Sequence, residues 1–375
     1  MQRIPRPFSV GCCRIVLALL LVACQGTTRR ENPTADTLAS RINHYMQQHY
    51  PQFSGTVLVA QKDQGLMSQG YGLADREQDV PNAPQTRFAI GSITKSFTAM
   101  AIMILQERGS LKVEDPICNY LADCPDAWKP VTMHHLLTHT SGIPSYTDLY
   151  IQGKIAATPC KAGKPETIIA YFRDLSLEFT PGSRWHYSNS GYFLLGAVIE
   201  KVSGDSYEAF IEKNILQPLR MTETDYDRAS TIIPHRASGY SVDQLRDPFI
   251  NAPCLDASLD DAVGGLYSTV GDLYKWDQAL YTDRLVSQET LGTIFTSTVS
   301  LVSSVAGEAV YGYGWEISQQ SGHRVIWHNG LVWGFASYLA RYPDDQLTII
   351  VLSNVDTTNV AQVGRELAAI VLGAQ

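Results

Sequence analysis

Ser92-Ile93-Thr94-Lys95 places a hydroxyl and an amine three residues apart, one helical turn, so the two side chains share a face. A serine hydroxyl attacks a carbonyl only when a neighbouring base takes its proton. Lys95 can be that base if it is neutral part of the time, which needs desolvation or a nearby cation to lower its pKa. A Ser-x-x-Lys pair by itself also fits a polar patch on a helix. Here Ser92 is the only serine with lysine three positions on, and the pair interrupts an apolar helical stretch where a lysine without purpose is costly to bury.

Two further clusters carry groups that suit acyl transfer. Tyr187-Ser188-Asn189 follows Pro181-Gly182-Ser183-Arg184-Trp185-His186 and precedes a helix. A loop tyrosine relays a proton if nearby cations depress its pKa, and an Asn amide orients a substrate carbonyl. His328-Asn329-Gly330 closes a strand, where His328 is placed to exchange a proton with Tyr187 and Gly330 lets a substrate backbone come close. His135 and His139 are spaced like metal ligands, but no Glu stands beside His135 and no third ligand is in view, so a structural role is expected. Trp327 and Trp333 flank the His-x-Gly turn and either line an acyl pocket or pack.

The elements that must position these groups fall into three parts. Ala35 to His49 reads as a helix, and Gly55 to Ala60 with Met67 to Leu73 as a hairpin. Phe88 to Arg108 reads as a long helix ended by Gly109. Between Leu111 and Asp261 the chain mixes Pro-rich turns with helical stretches at Met133 to Thr138, Pro165 to Leu175, Ser190 to Val202 and Tyr207 to Ile215. Thr269 and Asp272 resemble a capping box for a helix running to Leu280. Strands are expected at Tyr311 to Ser318, Arg324 to His328, Ala336 to Tyr342 and Gln346 to Ser353, then a helix from Asn359 to Leu372. Short turns make the sheet antiparallel. The expected organisation is α/β: a discontinuous α/β domain from residues 36–110 and 262–375, with a mostly helical domain, 111–261, inserted.

Of 375 residues, 45% are hydrophobic, and the formal charge is -8. Such a chain is neither disordered nor fibrous. Residues 1–23 hold three arginines and no acid, so the rest of the chain is more acidic still, which argues against a nucleic-acid partner. That start, with a short apolar run from Ile15 to Ala23, reads as a signal peptide and is too short to span a bilayer. Leu21-Val22-Ala23-Cys24 resembles a bacterial lipobox, which implies lipid on Cys24, a tether over residues 24–35 and a lipid-anchored place in the cell envelope. Cys118, Cys124, Cys160 and Cys254 remain for two disulfides, Cys118 with Cys124 preferred for their closeness and Cys160 with Cys254 left over.

The order Ser-x-x-Lys, Tyr-x-Asn, His-x-Gly resembles the serine hydrolase family of class C β-lactamases, D-alanyl-D-alanine carboxypeptidases and related esterases and D-aminopeptidases. Supporting stretches are Phe88 to Ser92, Leu136 to Gly142, Pro181 to Tyr192 and Gly264 to Thr269. The resemblance runs from about Ala35 to the C-terminus. It implies a β-lactamase/transpeptidase-like fold and an acyl-enzyme on Ser92, with Lys95 and Tyr187 moving protons, and needs neither metal nor cofactor. It also implies that Asn189, Asn329 and Gly330 contact substrate, and that the N–H groups of Ser92 and Leu331 form the oxyanion hole. His328 stands where class C β-lactamases carry Lys and several relatives carry His. Asn329 replaces the hydroxyl residue that helps β-lactamases and carboxypeptidases hold a substrate carboxylate. The expected substrate is a peptide, amide, ester or lactam carbonyl, peptidoglycan-derived peptides included. The competing reading is an idle peptidoglycan- or β-lactam-binding lipoprotein on the same fold.

Overall fold

Apolar runs joined by short turns have no route but back alongside one another. The computed structural model describes residues 37–373 apart from 63, 155–164, 243–248, 254, 255, 257, 259, 297, 298, 305 and 306. In it the runs form an eight-stranded antiparallel sheet. Its strands are β1 (Gly55–Gln61), β2 (Gln64–Tyr71), β3 (Val299–Ser304), β4 (Gly307–Tyr311), β5 (Glu316–Gln320), β6 (His323–Val332), β7 (Phe335–Tyr342) and β8 (Leu347–Ser353). The spatial order is β3-β4-β5-β6-β7-β8-β1-β2. The N-terminal hairpin is therefore sewn to the C-terminal strands through β1 and β8, with Gly55 opposite Ser353.

Alternation along the strands divides the core into two layers. Val57, Val59, Ile349 and Val351 face Ile42 and Met46 of α1 (Leu38–His49) and Leu367 of α5 (Val360–Leu372). Leu58, Ile350 and Leu352 face the opposite way, into the larger cluster that holds α2 (Thr94–Glu107), α3 (Asn189–Ser203) and α4 (Val270–Ala279). Every residue of α2 from Thr94 to Leu105 is buried, as a helix apolar on nearly all sides must be. Phe97 of α2 stacks on Trp276 of α4 at 4.2 Å between centroids. A buried ion pair, Arg341 Nε to Asp277 Oδ1 at 2.9 Å, ties α4 to β7.

Several boundaries differ from expectation. The stretch from Phe88 does not begin as helix: Phe88–Ala89 pairs with Leu266–Ser268, which also pairs with Asp225–Tyr226, and a 3₁₀ turn, Gly91–Ile93, then leads into α2. The reading of Tyr311 to Ser318 as one strand fails because Gly312 and Gly314 turn the chain between β4 and β5. Strand β3 went unread. The strand at Arg324 does not close at His328 but pairs with β7 through Val332. Residues 165–175 are helical only over Pro165–Ala170, and 207–215 passes from α-helix at Ile211 into a π-helical turn, Glu212–Leu216. A disulfide joins Cys118 and Cys124. Cys24, Cys160 and Cys254, and the leader and tether assigned to 1–35, lie outside the described residues.

Candidate functional site

Gly91, in the left-handed region at φ +50°, makes the turn that presents Ser92 at the mouth of α2. The turn rests on β6. A Cβ on Gly330 would sit 2.0 Å from the Ile90 carbonyl oxygen, and one on Gly91 would sit 2.8 Å from the Leu331 nitrogen. Gly330 thus admits the protein's own Ile90 backbone, where the sequence suggested room for substrate. The same packing puts the N–H donors of Ser92 and Leu331 on adjoining segments.

Lys95 is fully buried, and its Nζ lies 3.0 Å from Ser92 Oγ and donates to the Val263 carbonyl at 3.0 Å. Loss of water pushes the amine down to about 7, against the opposing pull of Asp260. Tyr187 OH donates to Ser92 Oγ at 2.9 Å. Its phenol is not depressed as expected: burial raises it, so the resting site holds a protonated tyrosine beside an amine able to lose its proton. Hydroxyl, amine and phenol therefore meet at one oxygen.

His328 does not take part in that meeting. Its Nε2 lies 2.9 Å from Tyr311 OH and its Nδ1 2.6 Å from the Asn329 carbonyl, while its ring centre is 6.4 Å from that of Tyr187. Nδ1 has only an acceptor before it and so carries the proton, leaving Nε2 to accept from Tyr311. Burial, helped by Lys95, holds the imidazole down to about 3. The proton exchange expected between His328 and Tyr187 has no hydrogen bond to run through.

The histidine that does touch the tyrosine loop is His139. Its Nδ1 accepts from the Ser188 N–H at 3.1 Å, its carbonyl accepts from the His186 N–H at 2.9 Å, and its ring lies 4.3 Å from that of Tyr187. Burial holds it well below the ordinary imidazole value. His135 Nδ1 instead accepts from the Thr132 N–H in a capping box. Asn189, at the start of α3, donates through Nδ2 to Thr147 Oγ1 at 3.0 Å, and its Oδ1 has no partner among the described residues.

A cleft of about 740 Å³ opens over Ser92 and is lined by Tyr187, Asn189, Asn329 and Leu331 among others. Leu331 is 62% exposed there. Trp333 lines it, its ring 5.7 Å from that of Tyr150, whereas Trp327 packs beneath the sheet and donates to Ser318 Oγ. Three acids missed in the sequence belong to the cleft, Asp260, Glu316 and Asp356. Asp260 accepts from Tyr146 OH at 3.1 Å, and burial raises its carboxyl. Glu316 is pushed up to about 7 by burial. An acid inside the apolar run Tyr311 to Ile317 is the one sequence signal that pointed to Glu316; Asp260 sits in an irregular segment with none. These make three carboxylates, and no Arg, Lys or His lines the cleft among the described residues. No three His, Cys, Asp or Glu side chains among those residues gather as metal ligands.

A serine flanked by a desolvated lysine and a tyrosine, between an antiparallel sheet and a helical layer, marks a serine hydrolase. The Beta-lactamase family model matches residues 38–373, and the chain belongs to that family of serine hydrolases, with its penicillin-binding-protein-like members. It is similar to penicillin-binding protein 4* of Bacillus subtilis (strain 168), 35% identical over 322 residues that cover 81% of this chain and 68% of the relative. Among solved structures it is similar to the octameric penicillin-binding protein homologue from Pyrococcus abyssi. That match has 33% identity, a TM-score of 0.78, and 90% and 77% of the two chains covered. A D-stereospecific amidohydrolase from a Streptomyces species is 26% identical with a TM-score of 0.76, covering 90% of this chain and 99% of the other. The β-lactamase/transpeptidase-like fold agrees with the architecture read from the sequence.

Proposed function

We propose that the protein hydrolyses amides or esters whose reacting carbonyl carries no neighbouring carboxylate, through an acyl-enzyme on Ser92. The observation that carries this reading is the Ser92 Oγ held 3.0 Å from Lys95 Nζ and 2.9 Å from Tyr187 OH. Neutral Lys95, anchored by one N–H to Val263 O, offers its lone pair to the Ser92 hydroxyl. As Oγ bonds to the substrate carbonyl carbon, its proton passes to Lys95, and the carbonyl oxygen takes the N–H groups of Ser92 and Leu331. Tyr187, still a phenol, protonates the departing amine or alkoxide as the acyl bond breaks, and the Lys95 ammonium restores the phenol. Water then retraces the steps and frees Ser92. An idle binding protein would gain nothing from a lysine desolvated to about 7 against a hydroxyl.

The substrate preference rests on charge. A carboxylate entering the cleft meets Asp260, Glu316 and Asp356 and, among the described residues, no cation on its walls. Asn329 offers an amide in place of a hydroxyl. An amidohydrolase among the similar structures supports amide chemistry on this fold. The test is intact-mass detection of a fluorophosphonate adduct that is absent in Ser92→Ala. It is followed by kcat/KM for a nitrophenyl ester, a D-amino acid amide, a D-Ala-D-Ala peptide and a chromogenic cephalosporin. Amide and ester should lead by ~10-fold or more over the carboxylate-bearing pair. An adduct that persists in Ser92→Ala overturns the nucleophile, and a leading cephalosporin or D-Ala-D-Ala peptide overturns the preference. We further propose that the exported protein is held in the envelope by lipid on Cys24.

A further inference from the structure

We infer that Glu316 is the group by which this cleft recognises a positively charged group on its substrate. The inference rests on the hydrolase reading above and names the class of molecule that it favours: amides or esters that also bear a cation. Glu316 lies opposite Trp327 across the β5–β6 pair, and Asn329 follows two positions further along β6. Glu316 is therefore the diagonal neighbour of Asn329, within reach of a long side chain, and both line the cleft that holds Ser92. Its carboxyl makes no hydrogen bond or ion pair with any described residue.

A half-buried carboxylate without a protein partner is less well solvated than one in free water, and a substrate cation supplies the partner. The groups around Glu316 leave that role open. Tyr311 and Tyr187 are phenols whose burial keeps them protonated, as is Tyr338 of β7. His328, on the neighbouring strand, is neutral. Asp260 and Asp356 across the cleft add negative charge, and Tyr150 and Trp333 offer ring faces that suit a cation. Burial pushes the empty carboxyl up to about 7. The ionised form binds the cation, so discrimination between charged and uncharged substrates grows as pH rises through that value.

Titration calorimetry with Ser92→Ala separates recognition from turnover. Two isosteric pairs place the charge on either side of the reacting carbonyl. Acetylcholine is compared with 3,3-dimethylbutyl acetate, and ethyl 4-(trimethylammonio)butanoate with ethyl 5,5-dimethylhexanoate. In at least one pair the cation should bind ~10-fold or more tightly at pH 8. That margin should shrink toward pH 6 and vanish when Glu316→Gln is added. Equal affinities in both pairs, or a preference that survives Glu316→Gln, overturns the inference and leaves the aromatic walls or Asp260 as the cause. Should the Gln variant not fold, the pH series on Ser92→Ala decides alone, a flat margin counting against Glu316. Wild-type turnover of a nitrophenyl ester reports on the hydrolase reading independently.

Discussion

In the proposed mechanism Lys95 is the residue on which the chemistry turns, because a general base works best when its pKa lies near the working pH. Burial brings the amine to about 7, so the ammonium dominates below that pH and the free base above it. The kcat/KM of a neutral ester should rise about tenfold per pH unit up to ~7 and then level off. Asp260 opposes this depression, so Asp260→Asn should move the limb to lower pH; a limb that stays in place or moves up removes Asp260 from the charge balance around Lys95. His328, held down to about 3, does not change charge across this range, so His328→Gln should keep the limb where it is. Loss of the limb in that variant would return His328 to the proton path. Tyr187→Phe keeps the ring against His139 but loses the proton for the leaving group, and kcat should fall by ~100-fold or more with unfolding unchanged.

At the scale of elements, two contacts set the geometry that these residues need. The Ser92 turn lies directly on β6, and a methyl at Gly330 has backbone in its way on the Ile90 side. Gly330→Ala should therefore lower stability by about 1–3 kcal/mol through overpacking. It should also cut kcat/KM by ~100-fold, since a shift of about 1 Å at the nucleophile carries such a cost. Urea unfolding and ester turnover measure the two effects, and wild-type values for both would mean that the turn tolerates displacement. The second contact is the Arg341–Asp277 pair, in which Asp277 also accepts from Thr348 Oγ1. Asp277→Ala leaves a buried guanidinium without its partner and should destabilise by about 3–5 kcal/mol, whereas replacing both charges with apolar residues should cost far less. Equal losses in the single and double variants would show that the pair is screened by water.

For the whole molecule, closure is long-range: β1 near the start of the described chain pairs with β8 near its end, and the groups of the proposed mechanism come from three separate stretches, around Ser92 with Lys95, Tyr187 and Leu331, with Val263 of a fourth anchoring Lys95. None of the helices in the described residues is long and apolar enough to cross a membrane. The proposed anchor, Cys24, lies outside those residues. Cys24→Ser should move the exported protein from the membrane fraction to the soluble fraction without changing ester turnover, and membrane association that persists in that variant places the anchor elsewhere.

Local spacing carried what a single segment can express. Ser-x-x-Lys put a base one turn from a nucleophile, the runs Gly55 to Ala60 and Gln346 to Ser353 marked strands, and the closeness of Cys118 and Cys124 indicated their bridge. These rest on covalent proximity and on the fixed periods of helix and strand. Tertiary structure decided everything that depends on the environment of a side chain. His328 looked like a proton carrier because its type and order matched one, yet Tyr311 and the Asn329 carbonyl occupy both ring nitrogens and burial keeps it neutral. His139 was expected to be structural, and it is, but only the fold shows that the structure it holds is the Tyr187 loop. Asp260 and Glu316 acquire their raised carboxyls only when distant segments exclude water around them, and desolvation and Coulombic coupling are properties of a folded neighbourhood that no spacing along the chain encodes.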